Sequence, residues 1–199
     1  ARYADHSVLA SGTWAKIRVP ASGVYRLTDA LIRKAGFTDF AKVKVYGYGG
    51  NLQNEKLNAA DLVNLDDLKE VPTCTVNGNR LFYARGPVSW SSNTATRRTR
   101  NPYSDYGYYF ITQTDGDPAT VDSTAFLNAF YPSTDDYHSL YEVDGYSWYH
   151  GGRNLFDTEQ IAVGKTKRVI VANRSGSTTG TLSVNVSAGT ASVAQIAIN

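Results

Sequence analysis

The sequence predicts a mainly β protein of two modules. Residues 1–115 form an N-terminal β module with one short helix, and residues 116–199 form a β-sandwich-like module. Three observations carry this reading. Short runs alternate apolar and polar residues with period two, as strands with one buried face do. Clusters of Gly, Pro, Asn, Asp and Ser punctuate those runs as turn signals. The composition, with 14 Tyr, 7 Phe, 3 Trp and 17 Gly in 199 residues and 42% hydrophobic, favours strands and turns and suffices for a core.

Taken in order, Ala15, Ile17 and Val19 alternate with Trp14, Lys16 and Arg18. Pro20 to Gly23 supplies a turn into Val24 to Thr28, so a hairpin is the economical reading. Thr28 or Asp29 then caps a short helix with Leu31, Ile32 and Ala35 on one face, Arg33 and Lys34 in its last turn, and Gly36 to end it. Lys42 to Tyr46 reads as a strand with Val43 and Val45 inward, leading into Gly47-Tyr48-Gly49-Gly50. Leu52 to Leu68 is polar and irregular, with a helical turn placed around Leu62 to Leu68. Asn77-Gly78-Asn79 joins strands at Cys74 to Val76 and Arg80 to Ala84 as a tight hairpin. Ser91 to Arg100 reads as an exposed loop, and Tyr108 to Thr112 as a buried aromatic strand. Asp115-Gly116-Asp117-Pro118 marks the module boundary. Beyond it, Lys167 to Ala172, Thr181 to Ser187 and Val193 to Ile198 are expected as strands, with Asn173 to Gly180 connecting the first two.

Composition also excludes functions. No apolar run approaches the roughly 18 residues of a membrane helix. A balance of 20 basic against 18 acidic residues gives no electrostatic case for nucleic acid. One Cys and three His supply neither an internal disulfide nor a zinc set, and no cofactor is expected. The missing Met makes Ala1 an internal start, left by signal-peptide removal or by a chosen boundary, and the apolar strand ending at Asn199 reads as a cut, so a piece of a longer protein is expected.

No residue set reads as catalytic or metal-binding. Cys74 lies between Thr73 and Thr75 in a strand, without a neighbouring cation to activate it. His6, His138 and His150 could meet Asp135, Asp136 or Asp157 at a metal, but their spacing fixes no such geometry. Asp115-Gly116-Asp117 lacks the further acids of a calcium loop. The glycines at 47, 49 and 50 precede no helix that would make a phosphate cradle. Arg97, Arg98 and Arg100 form a small solvated basic patch. Asp122-Ser123-Thr124 resembles the short O-glycosylation motif of exported Bacteroidetes proteins. The contact candidates are aromatic: Tyr137, Tyr141, Tyr146, Trp148 and Tyr149. Core or interdomain packing is the preferred reading for them, and a carbohydrate- or protein-binding surface is the alternative.

A family resemblance is carried by collinear segments. They are Ser7 to Ile17, Ser22 to Leu27, Val43 to Gly50, Leu81 to Pro87 with Trp90, Asn101 to Asp105, Tyr108 to Thr112, Asp136 to His138, and Trp148 to Gly152. In this order they resemble the N-terminal region of the gingipain-like sortase of the Bacteroidetes type IX secretion system. In that family a caspase-like cysteine peptidase domain follows, so the resemblance implies a non-catalytic region of a cysteine peptidase. It also implies export to the outer membrane or cell surface. The implied partners are the downstream peptidase domain and proteins of the secretion system, and no catalytic residue carries over. The segment after Asp66-Asp67-Leu68-Lys69-Glu70 is shorter than the family's pattern.

Overall fold

A computed structural model of the chain describes residues 3–90, 98–122, 124, 139–148, 155–171 and 178–198. The chain divides into two units, Ala1–Phe130 and Tyr131–Asn199. The first is built of strands β1 (Trp14–Val19), β2 (Gly23–Leu27), β3 (Val43–Gly49), β4 (Glu70–Val71), β5 (Cys74–Val76), β6 (Asn79–Ala84), β7 (Val88–Trp90), β8 (Arg98–Arg100) and β9 (Gly107–Gln113). Two short helices accompany them, α1 (Asp29–Lys34) and α2 (Ala59–Asn64). The mainly β class is as the sequence predicts.

The larger sheet has the order β1-β9-β3-β4 and the smaller β2-β6-β5. They face each other across one core. Val19, Val43, Val45, Tyr109 and Ile111 come from the larger sheet, Leu27, Phe82 and Ala84 from the smaller, and Ile32 and Phe37 from α1 and the turn after it. The alternation read from the sequence is therefore the inward pattern of β1 and β3, with Val43 and Val45 fully buried. The aromatic strand β9 is central in its sheet, paired with β1 on one side and β3 on the other.

Local chemistry sets the remaining elements. The Thr28 hydroxyl accepts from Leu31 N at 3.2 Å and starts α1. Asn77 and Gly78 both have positive φ, 49° and 74°, which the two-residue turn between β5 and β6 requires. In α2, Asn58 and Asp61 form a reciprocal capping box, so the helix starts upstream of the turn expected at Leu62 to Leu68 and overlaps its first residues.

Three expectations are corrected. Strands β1 and β2 are not a hairpin: β1 pairs with β9 and β2 with β6, so the Pro20 turn passes the chain between sheets. Turn residues indicate a reversal but not which strand lies alongside. Arg98–Arg100, expected in an exposed loop, is a strand paired with Val88–Trp90, because apolar content is not needed in a two-stranded ribbon at the surface; residues 91–97 lie outside those described. The strands expected at 167–172, 181–187 and 193–198 are not formed among the described residues, where the second unit holds one isolated bridge, Tyr146 to Phe156. Leu182, Val184 and Val186 keep 51%, 49% and 61% of their surface, so their alternation has no facing layer to bury it. The two-sheet arrangement expected of the second module is the architecture of the first.

The chain also stays with the first unit beyond residue 115. Thr73 N donates to Ala119 O and Val121 N to Thr73 O, both at 2.9 Å, and Lys42 pairs with Asp117 at 2.6 Å.

Two contacts fix how the sheets meet. Arg80, 7% exposed on the inner face of β6, donates to Thr73 Oγ1 (3.1 Å), Phe40 O (2.8 Å) and Val43 O (2.5 Å). At the other end of the sheets the Arg85 carbonyl threads between Gly49 and Gly107, where an added Cβ would lie 2.3 and 2.2 Å from it. Gly50 N donates to that same oxygen at 2.9 Å.

Replacing Arg80 by Ala removes its three hydrogen bonds to Phe40, Val43 and Thr73, and is expected to lower stability by about 2–4 kcal/mol, read as a fall in the urea midpoint with unchanged slope. Arg80→Lys recovers only part, since one ammonium cannot reproduce the planar fork. Gly107→Ala is expected to cost about 1–3 kcal/mol by forcing the Arg85 carbonyl aside, measured by the same titration.

Candidate functional site

The single cysteine is on β5, half-buried, its register partner Leu81 on β6. That is a strand position with no base or cation attached to it among the described residues. His6 sits near the carboxylate of Asp67, which accepts from Ser7 Oγ (2.8 Å) and Val8 N (2.6 Å) and so pins the N-terminal segment. His138, His150, Asp135 and Asp136 lie outside the described residues, among which no group of three or more His, Cys, Asp or Glu could hold a metal.

Asp117 takes the ammonium of Lys42, and Asp122 Oδ1 accepts from both the amide and the hydroxyl of Thr124, at 2.8 and 2.7 Å. Each acid thus serves a turn. The glycine run is conformational: Gly47 and Gly49 have φ of 134° and 69° at a bulge in β3. Arg100 pairs with Asp105 at 2.7 Å, while Arg97 lies outside the described residues. Two adjoining depressions of about 180 and 370 Å³ flank the glycine crossing and share Asn51 and Ser89. Among the described residues their linings include Tyr83, Arg85 and Trp90 but no histidine or carboxylate.

The aromatic segment, in the second unit, holds the densest polar network there. Phe156 and Tyr146 exchange backbone hydrogen bonds of 2.8 Å, which carries Asp157 into place beside Tyr141. Tyr141 donates its hydroxyl to Asp157 Oδ2 at 2.7 Å, and the Lys167 ammonium reaches Asp157 Oδ2 at 2.6 Å and Glu159 Oε2 at 2.7 Å. The same ammonium lies 5.7 Å from the Tyr141 ring centroid. Hydrogen bonds from Lys167, from the Glu159 amide and from Tyr141 hold the Asp157 carboxyl well below the usual carboxylate range. Asp157 and then Glu159 raise the Lys167 ammonium above its ordinary value.

Tyr146 and Trp148 meet edge to face at 5.5 Å, and the Trp148 indole N–H donates to Ser187 Oγ. Trp148 also covers Gly189, where a Cβ would stand 3.2 Å from the indole. Of the five aromatic candidates, then, Tyr141, Tyr146 and Trp148 are tied to distant parts of their own unit; Tyr137 and Tyr149 lie outside the described residues. Sequence reading missed Lys167 as the centre of this network, because its partners are eight and ten residues away in no regular element.

Among the described residues, the acids, aromatics and paired cations named above are engaged in holding turns and loops of their own units. No protein-family model and no curated protein matches the chain. Among solved structures it is similar to dimeric latent PorU from Porphyromonas gingivalis, 39% identical with a TM-score of 0.51 over 72% of this chain. PorU is a gingipain-like sortase of the type IX secretion system, and the chain spans 12% of it.

The network sets a pH window. A depressed carboxylate contributes stability that is present above its unfolded pKa of about 4 and is lost as pH falls below that value. A raised ammonium contributes below about 10.4 and loses its contribution as pH rises further. Amide exchange protection at residues 157–167 is therefore expected to be flat across neutral pH and to fall below about pH 4. In Asp157→Asn it starts lower and loses the acid limb.

Proposed function

We propose that this chain is the non-catalytic N-terminal region of a gingipain-like type IX secretion sortase, positioning or shielding a peptidase domain that follows it. The observation that carries the reading is the 39% identity to PorU over 72% of the chain, confined to 12% of PorU. Likeness of that extent to so small a part of a sortase fits a piece that accompanies the chemistry.

The molecule's own geometry agrees with a positional task. Its one cysteine is a β5 residue, and its buried cation, Arg80, is consumed in joining two sheets. A rigid two-sheet module of this kind can hold a neighbouring domain at a fixed angle or cover its cleft. The aromatic residues of the second unit fit the same reading: Tyr141, bonded to Asp157, and Trp148, bonded to Ser187, tie segments of their own unit together while 46% and 41% exposed. Export to the outer membrane or cell surface follows from the same resemblance, with secretion-system proteins as partners.

The test compares the full-length protein with a form lacking residues 1–199. The expected result is loss of correct localisation or of substrate processing in the shortened form. If the peptidase part alone folds, localises and processes substrates equally well, the reading fails. Trp148→Ala separates packing from ligand binding: a lowered thermal midpoint is expected, whereas loss of glycan or protein capture at unchanged stability contradicts it.

A further inference from the structure

The larger sheet ends on one side in β1, whose six residues pair with β9 along one edge only. Among the described residues, no backbone group on its other edge bonds to another segment. An open edge of this length is a template for a further strand. The other outer strand of this sheet, β4, has only two residues.

The side chains on the outer face select what can pair there. Lys16 and Arg18 point away from the core at alternate positions, and both are exposed. The Lys16 ammonium stands 3.9 Å from the ring centroid of Tyr108, and the Arg18 guanidinium carbon 4.5 Å from that of Tyr106. Those rings are 6.4 Å apart, so the two cations stand side by side, held by stacking. Neither has a carboxylate partner among the described residues, in contrast to Lys42, Arg100 and Lys167. Like charges placed opposite each other destabilise a strand pair, so the cations oppose pairing of β1 with a second copy of itself. The same positions reward a strand whose outward residues are acidic.

We propose that β1 is a docking edge for an extended acidic segment of a partner protein. The segment adds to the larger sheet as a fifth strand and sets carboxylates at alternate positions opposite Lys16 and Arg18. Main-chain hydrogen bonds to the open edge hold it, and the two cations choose its sequence.

The experiment titrates the 199-residue chain with a synthetic decapeptide of alternating Thr and Glu, and with the same peptide carrying Lys for Glu. At about 50 mM salt the acidic peptide is expected to bind at least about tenfold more tightly, with the preference shrinking as salt rises. Amide hydrogens of residues 14–19 are expected to gain exchange protection on binding. In the double variant Lys16→Glu, Arg18→Glu the preference inverts. Lys16→Gln, Arg18→Gln removes it at an unchanged thermal midpoint and serves should the first variant fold poorly. Equal binding of the two peptides, or binding that leaves residues 14–19 unprotected, overturns the proposal. Self-association that protects residues 14–19 without peptide overturns it as well.

Discussion

A single guanidinium holds the first unit together. Arg80 projects from β6 into the space between the sheets, where burial lowers its pKa and the nearby charge of Glu70 works against that shift. An arginine stays charged under such pressure, so the fold must supply acceptors on all sides. It does so from three separate places: the carbonyl of Phe40, which opens the short turn before β3, the first carbonyl of β3 at Val43, and the hydroxyl of Thr73 between β4 and β5. Thr73 in turn bonds to Ala119 and Val121, so the guanidinium also fixes where the chain leaves the unit. Among the described residues no carboxylate forms an ion pair with it, and the orientation of neutral dipoles carries the charge.

The opposite end of the sheets is held by shape. Tyr109, buried at the centre of the larger sheet, meets Phe82 of the smaller edge to face at 5.6 Å and accepts from Arg85 N at 2.7 Å. Burial raises its hydroxyl's pKa, and the bond from the Arg85 amide works against that shift. Only glycine at 49 and 107 lets the Arg85 carbonyl pass so close. The apolar core of the first unit is thus gripped at both ends.

Legibility in the sequence tracked how local each cause is. The Thr28 cap, the Asn77-Gly78 turn and the inward alternation of Val43 and Val45 are set within a few residues, and they read directly. Sheet membership is not local: β1 pairs with a strand about ninety residues later, which no turn beside it announces. Arg80 read only as one strand residue of a tight hairpin because its three acceptors lie at separations of 7 to 40 residues. Tyr141, Tyr146 and Trp148 were legible as a cluster from density alone, but their partners Asp157 and Ser187 were not, lying 16 and 39 residues onward. The C-terminal alternation, read as strands, lacks facing layers among the described residues, and periodicity alone could not reveal that.

Function follows the same division. The resemblance to a type IX secretion sortase came from short collinear segments, and the likeness to PorU bears on the same relationship over most of the chain. Within the first unit, the two sheets are joined through Arg80. The most direct measurement is the exchange rate of the Arg80 Nε hydrogen by NMR. If the guanidinium locks the two sheets, that hydrogen exchanges only as slowly as the central amides of β9, through opening of the whole unit. Exchange at the rate of an exposed arginine would show that the sheets stand without it and would contradict this account.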